Sequence, residues 1–169
     1  STCNAYFDGF STNYFEAGGG CSNTAFSNVV AHELGHWLNV RYGTGNGGDG
    51  MGEGNADVLA MYTYDTPVVG EGFFNGSGQI RNGTNTRQYC GDGNGGCYNQ
   101  VHTDGEVWMG AAWKVRENLN TSLGNAAGDA AADLLFLGWL NSYNQTQIRS
   151  IIELQWLALD DDETGKRKA

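Results

Sequence analysis

Residues 23–42 read NTAFSNVVAHELGHWLNVRY, and this stretch decides the fold. It opens on polar residues, then places Phe26, Val29, Val30, Leu34, Trp37 and Leu38 at helical spacing and stops before Gly43, which predicts an α-helix. Within it, His32-Glu33-Leu34-Gly35-His36 sets two imidazoles one turn apart on the same face, where they can grip one ion. Glu33 is rotated by one residue from His32. It can reach a water beside that ion without being a ligand itself.

Two imidazoles are too few for a catalytic zinc site, which takes three protein ligands and leaves a fourth position open. The metzincin solution needs a glycine at position 39 and a histidine at position 42, where this chain has Asn39 and Tyr42. The remaining common solution is a carboxylate. Residues 43–52, GTGNGGDGMG, form a glycine-dense loop that delivers a second helical segment from Glu53 to about Tyr64, closed by Asp65 to Pro67. Glu53 lies seventeen residues after His36, and Asp57 follows one turn later on the same face. Glu53 is therefore the candidate third ligand, and Asp57 the acceptor for the free N–H of a ligating imidazole. The bland alternative is an ordinary acidic first turn, which helix dipoles favour.

Upstream, residues 4–15 (NAYFDGFSTNYF) are two aromatic-rich extended runs around Asp8-Gly9, an edge hairpin. Downstream, residues 68–100 are loop-rich. Apolar residues then recur at helical periods over 103–118, 125–143 and 146–162, a C-terminal helical bundle in whose core Trp108, Trp113, Trp139 and Trp156 are expected. The fold class read from this order is α+β and predominantly helical.

With 169 residues the chain fits a single domain: hairpin and first helix over 1–43, second helix, glycine-rich loops and bundle over 44–162, and a polar tail over 163–169. The 19 acidic residues against 9 basic ones give a net charge of −10, with three positives crowded into Lys166, Arg167 and Lys168, which excludes nucleic-acid binding through a basic face. Apolar residues at 40% and aromatics at 12% exclude a disordered chain, and 27 glycines predict long irregular loops. No apolar run approaches the ~20 residues that span a bilayer, so no membrane partner is expected. The first nine residues have neither a basic start nor an apolar stretch, so any signal or pro-segment is expected to be gone already.

Four cysteines, Cys3, Cys21, Cys90 and Cys97, allow three pairings; the local one, Cys3 with Cys21 and Cys90 with Cys97, closes two short glycine-containing segments. Two disulfides imply an oxidising compartment, and sequons at Asn75, Asn82, Asn120 and Asn144 are compatible with secretion, so the protein is expected to be extracellular. The acidic glycine loops around Asp49 and Asp92 offer carboxylate and carbonyl oxygens to a structural Ca²⁺, or are solvated turns.

HELGH, then MGEGNAD, then GQIRNG, then VHTDGEVW resembles the gluzincin group of zinc peptidases, fungalysins especially and thermolysin more distantly, over nearly the whole chain from Asn4 to about Asp162. The resemblance implies a zincin-like fold with His32, His36 and Glu53 as ligands of one zinc ion, Glu33 as catalytic base and Asp57 behind the ligands. It also implies that His102 hydrogen-bonds the tetrahedral intermediate, that Arg81 holds a substrate carbonyl, and that Asn4, Ala5 and Tyr6 form the edge pairing with extended substrate. Fungalysins usually have Trp-Ser where this chain has Asn55-Ala56. The thermolysin tyrosine that assists the oxyanion has no clear counterpart, Tyr42 being a substitute. The chain is much shorter than either family's catalytic unit, so the upstream sheet is missing or minimal, and a pro-segment or domain outside this chain is compatible with that.

A count supports His102 independently: the chain has three histidines, and two are already assigned to the metal. An imidazole near the ion would donate to the oxyanion as charge develops; a surface role is the alternative for His102, as it is for Arg81. The expectation is a monomeric secreted zinc endopeptidase acting on polypeptides. The alternatives are a zinc-stabilised binding module without turnover and a peptidase that cleaves only its own precursor.

Overall fold

The helical spacings become five helices among the described residues, the extended runs of the hairpin become one two-stranded sheet, and a second forms within the span read as loop-rich, in a computed structural model that describes residues 3–93 and 97–161. The protein is a small α+β chain, about half helical. In order it runs β1 (Ala5–Phe7), β2 (Thr12–Tyr14), α1 (Ser27–Tyr42), α2 (Met51–Tyr64), β3 (Val68–Val69), β4 (Arg81–Asn82), α3 (Val101–Leu123), α4 (Asn125–Leu140) and α5 (Ile151–Asp161). No helix among the described residues is long and apolar enough to cross a membrane.

β1 and β2 pair antiparallel with Ala5 opposite Tyr14 and Phe7 opposite Thr12. The turn between them is held by Asp8, whose Oδ1 accepts from the backbone N–H of Phe10 at 2.9 Å and of Ser11 at 2.8 Å. Those bonds favour the charged form and hold the exposed carboxyl down at about 2. The two disulfides are Cys3–Cys21 and Cys90–Cys97, the local pairing. The first ties the strand start to the loop preceding α1.

Each helix packs on the next. Met51, Val58 and Met61 of α2, Trp108, Met109 and Ala112 of α3, Leu135, Phe136 and Trp139 of α4, and Ile152 and Trp156 of α5 share one core. Its centre is aromatic: the Trp108 ring centroid lies 5.0 Å from those of both Trp139 and Trp156, and Tyr143 stacks on Trp139 at 4.9 Å. Arg116 of α3, only 3% exposed, joins the ends of α2 and α4 by pairing with Asp65, Asp129 and Asp133 while lying over the Tyr62 ring. A smaller cluster of Cys21, Val29 and Phe73, flanked by Phe26 and Ile80, sits beside α1.

The apolar stripe of α1 does not face the core as a unit. Val29 is buried, but Val30, Leu34 and Trp37 are 40%, 47% and 42% exposed, while the face turned toward α2 carries Asn28, His32, Glu33, Gly35, His36 and Asn39. Helix contact decides this. Gly35 meets Ala56 so closely that a Cβ added to it would lie 2.5 Å from the Ala56 Cα, and Gly105 of α3 meets Gly54 of α2 in the same way. The smallest residues set the helix axes, and the polar residues beside them are carried inside.

Several boundaries differ from the sequence reading. α3 continues beyond residue 118 to Leu123, and α4 stops at Leu140. α5 begins at Ile151 because residues 146–150 are engaged elsewhere: the Met51 N–H donates to the Thr146 carbonyl at 3.2 Å, and the Ser150 N–H donates to Asp92 Oδ1 at 2.7 Å. Asp162 and the 163–169 tail lie outside the described residues. Asp49 accepts from the Thr146 hydroxyl, and Asp92 from Tyr89 and Ser150, so both carboxylates tie loops together. Among the described residues neither has acidic neighbours that converge with it on a cation position.

Candidate metal centre

α1 presents His32 and His36 on its buried face, and α2 brings Glu53 to meet them. These three are the group of His, Cys, Asp and Glu among the described residues that could hold a metal ion, their ligand atoms all within 4.8 Å of one another. His32 Nε2 lies 3.2 Å from His36 Nε2 and 3.3 Å from Glu53 Oε2, and His36 Nε2 lies 3.7 Å from Glu53 Oε1. A tetrahedral ion with bonds of about 2.0–2.1 Å needs its donors about 3.3–3.4 Å apart. The two distances at His32 match such an ion, and the third, to the other oxygen of Glu53, is about 0.3–0.4 Å longer.

The far side of each imidazole fixes which nitrogen faces the centre. His32 Nδ1 donates to Asp57 Oδ1 at 2.8 Å. His36 Nδ1 faces Asn46 Oδ1 at 3.0 Å, and Asn46 cannot present its amide nitrogen there, because that nitrogen donates to the His36 carbonyl at 3.0 Å. The orientation of Asn46 is enforced from further back. The Trp108 indole N–H, a donor only, bonds Asn55 Oδ1; Asn55 Nδ2 donates to Asn39 Oδ1; Asn39 Nδ2 donates to Asn46 Oδ1. Each link sets the next, so Asn55 relays orientation to His36. Both imidazoles are thus held with an Nε2 lone pair toward the other, an arrangement that is repulsive without a proton or cation between them.

Electrostatics agree with that geometry. Burial opposes charge on His32, but Asp57 and Glu53 outweigh it and push the imidazole up to about 9. Burial also opposes ionisation of Glu53, and the imidazoles overcome it, His32 foremost, bringing the carboxyl down to about 2. Asp57, fully buried, is held below the ordinary range against its desolvation by Arg81 and His32. His36 is pushed down by burial and by its charged neighbour. The metal-free centre accordingly stores one proton on His32 that a cation must displace. Zn²⁺ affinity is therefore expected to rise about tenfold per pH unit between about pH 7 and 9 and to flatten above, where the proton is already gone. Competition against a chromophoric chelator across that range measures it, and a flat profile would contradict the assignment of His32.

Glu33, with His32, lines a cleft of about 630 Å³ between the hairpin, the loop before β4 and the start of α3. It is 4% exposed, its Oε2 is buried without a hydrogen-bond partner, and burial raises its pKa. His102, in the first turn of α3, lines the same cleft and places Nε2 3.4 Å from Glu53 Oε2. Asn4 and Ala5 line the opposite wall, on the strand edge that β2 does not occupy.

Arg81 makes a bidentate pair with Asp57, Nε to Oδ2 at 2.7 Å and Nη2 to Oδ1 at 2.8 Å, so its first task is to hold the carboxylate behind His32, although it also reaches the cleft wall. Tyr42 lies nearly two helical turns beyond His36, 41% exposed, and does not line the cleft; it is corrected as an oxyanion donor. Tyr6 turns its ring against Phe15 and does not line the cleft. Asn46 and Gln100 went unnoticed in the sequence. One lies in a glycine loop and the other before a helix, and neither belongs to a motif. No family model, curated protein or solved structure matches this chain.

Proposed function

We propose that this protein is a secreted zinc-dependent endopeptidase of the gluzincin type. The observation that carries the reading is the donor triangle of His32, His36 and Glu53, compact enough to hold one zinc ion, while Glu33, buried and unpartnered, stands beside it in an open cleft. Two imidazoles and one carboxylate are a donor set that suits zinc and leaves a fourth position for chemistry. When bound, the ion supplies Lewis acidity toward a carbonyl and makes water a competent nucleophile near neutral pH.

The chain's own groups divide the remaining work. Glu33 takes the proton of the attacking water on its carboxylate and returns it to the leaving amine. His102 donates from Nε2 to the carbonyl oxygen as negative charge develops there. The free edge of β1 at Asn4 to Tyr6 offers backbone groups to an extended peptide, the usual way a strand edge binds one. Val29, Phe73 and Ile80 make one side of the cleft apolar. Two disulfides support an extracellular setting.

The test is to incubate the purified chain with an unfolded protein, with and without a zinc chelator, and then to restore Zn²⁺. Cleavage that is lost to the chelator and returns with zinc is the expected result. A chain that binds one zinc ion tightly yet cuts nothing is a binding module, and one that cuts only its precursor is a self-processing peptidase.

A further inference from the structure

We propose that Gln100 is a positioning residue that locks His102 as a hydrogen-bond donor toward the cleft; the catalytic meaning of this rests on the peptidase reading above, while the lock itself does not. Gln100 is the N-cap of α3, and its Oε1 accepts from the Thr103 N–H at 2.8 Å. That bond determines which way the amide faces, since reversing it would set an NH₂ group against another N–H. The amide nitrogen is left 2.8 Å from His102 Nδ1. Nδ1 must therefore offer a lone pair, and a neutral imidazole with a bare Nδ1 carries its one proton on Nε2. Nε2 is the atom that faces the centre, 3.4 Å from Glu53 Oε2.

The three imidazoles are thereby sorted by what stands behind each. Behind His32 and His36 are acceptors, Asp57 Oδ1 and Asn46 Oδ1, which draw the proton to Nδ1 and free Nε2 to bind an ion. Behind His102 is a donor, which does the reverse. Glu53 Oε2, 3.4 Å from Nε2, favours the same form from the other side, so Gln100 acts by closing Nδ1 to a proton. The form with Nδ1–H would turn a third lone pair toward the ion and remove the donor from the side where a carbonyl oxygen gains charge. Because Gln100 and His102 are two residues apart, the first turn of α3 carries the whole device, and helix capping and donor selection are one hydrogen-bonded unit.

Two substitutions separate those roles. Gln100→Ser keeps a side-chain cap for the first turn but is too short to reach His102. Gln100→Glu keeps the reach and the cap but turns an acceptor toward Nδ1. With only three histidines, each ring nitrogen can be resolved by long-range ¹H–¹⁵N correlation in the metal-free protein at about pH 8. The expected result is His102 protonated at Nε2 alone in the parent protein, protonated at Nδ1 in Gln100→Glu, and with a measurable Nδ1-protonated share in Gln100→Ser, where Glu53 alone still favours Nε2–H. Peptide hydrolysis by zinc-loaded Gln100→Ser is expected to fall about tenfold in kcat with KM and thermal midpoint little changed. A parent protein with His102 protonated at Nδ1, or a Gln100→Glu spectrum identical to the parent's, overturns the proposal. If the parent shows the expected ring state but cleaves no peptide, the lock stands and the peptidase reading falls.

Discussion

Glu33→Gln is expected to retain one zinc ion per chain while losing about three orders of magnitude in kcat, within the range by which a positioned general base accelerates a reaction. Glu33 is not part of the donor triangle, so metal content, measured by elemental analysis, should not change. Glutamine matches glutamate in shape and fits the same 4%-exposed site, so folding should survive. What disappears is a basic oxygen. In the parent, burial raises the Glu33 pKa above 4.5, and a base must be deprotonated to act, so kcat/KM should rise with pH through that shifted value. The acid limb should be absent from the residual activity of the variant. Turnover within tenfold of the parent, with zinc in place, would remove Glu33 from the role of base.

The second large effect comes from a residue with no chemistry. A Cβ on Gly35 would lie 2.5 Å from the Ala56 Cα and 3.0 Å from its Cβ, atoms that no rotamer change can move away. Carbon atoms prefer about 3.5–4.0 Å, so in Gly35→Ala α1 must retreat from α2 by on the order of 1 Å. His32 and His36 ride on α1 and Glu53 on α2, three residues before Ala56, so the donor triangle opens along the same direction. We expect a loss of about 1–3 kcal/mol in unfolding free energy from overpacking. Zinc affinity should weaken about a hundredfold, as geometry lost at the 1 Å level typically costs. Gly138→Ala is the control. That glycine lies in α4 with nothing within 4 Å of its added Cβ, so the same chemical change should stabilise the protein by about 0.5–1 kcal/mol. Equal denaturation midpoints for Gly35→Ala and the parent would mean that α1 and α2 are not held at contact distance by this pair.

Much of the centre was legible because its decisive spacing is local. Two imidazoles four residues apart share a helix face whatever the rest of the chain does, and Asp57 follows Glu53 by the same rule. The second-helix placement, the hairpin around Asp8-Gly9 and the local disulfides were legible for similar reasons of short range. Arg81 was picked out through the resemblance, but its pairing with Asp57 was not legible, because an arginine's partner twenty-four residues away cannot be read from its neighbours. The exposed Val30, Leu34 and Trp37 show the same limit from the other side. Periodicity marks the helix, yet which stripe is buried depends on where a neighbouring backbone can approach.

The sequence by itself determined the first helix, the pair of imidazoles on it, the acidic pair on the next helix and the acidic character of the chain, because each depends on covalent spacing or composition. Only the tertiary structure decided that α1 turns its polar face inward, that Trp108, Asn55, Asn39 and Asn46 relay one orientation to His36, and that Arg81 serves Asp57. Those depend on distances between segments far apart in the chain, fixed by close helix packing at Gly35 and Gly105 and by hydrogen bonds that form only once the packing is in place.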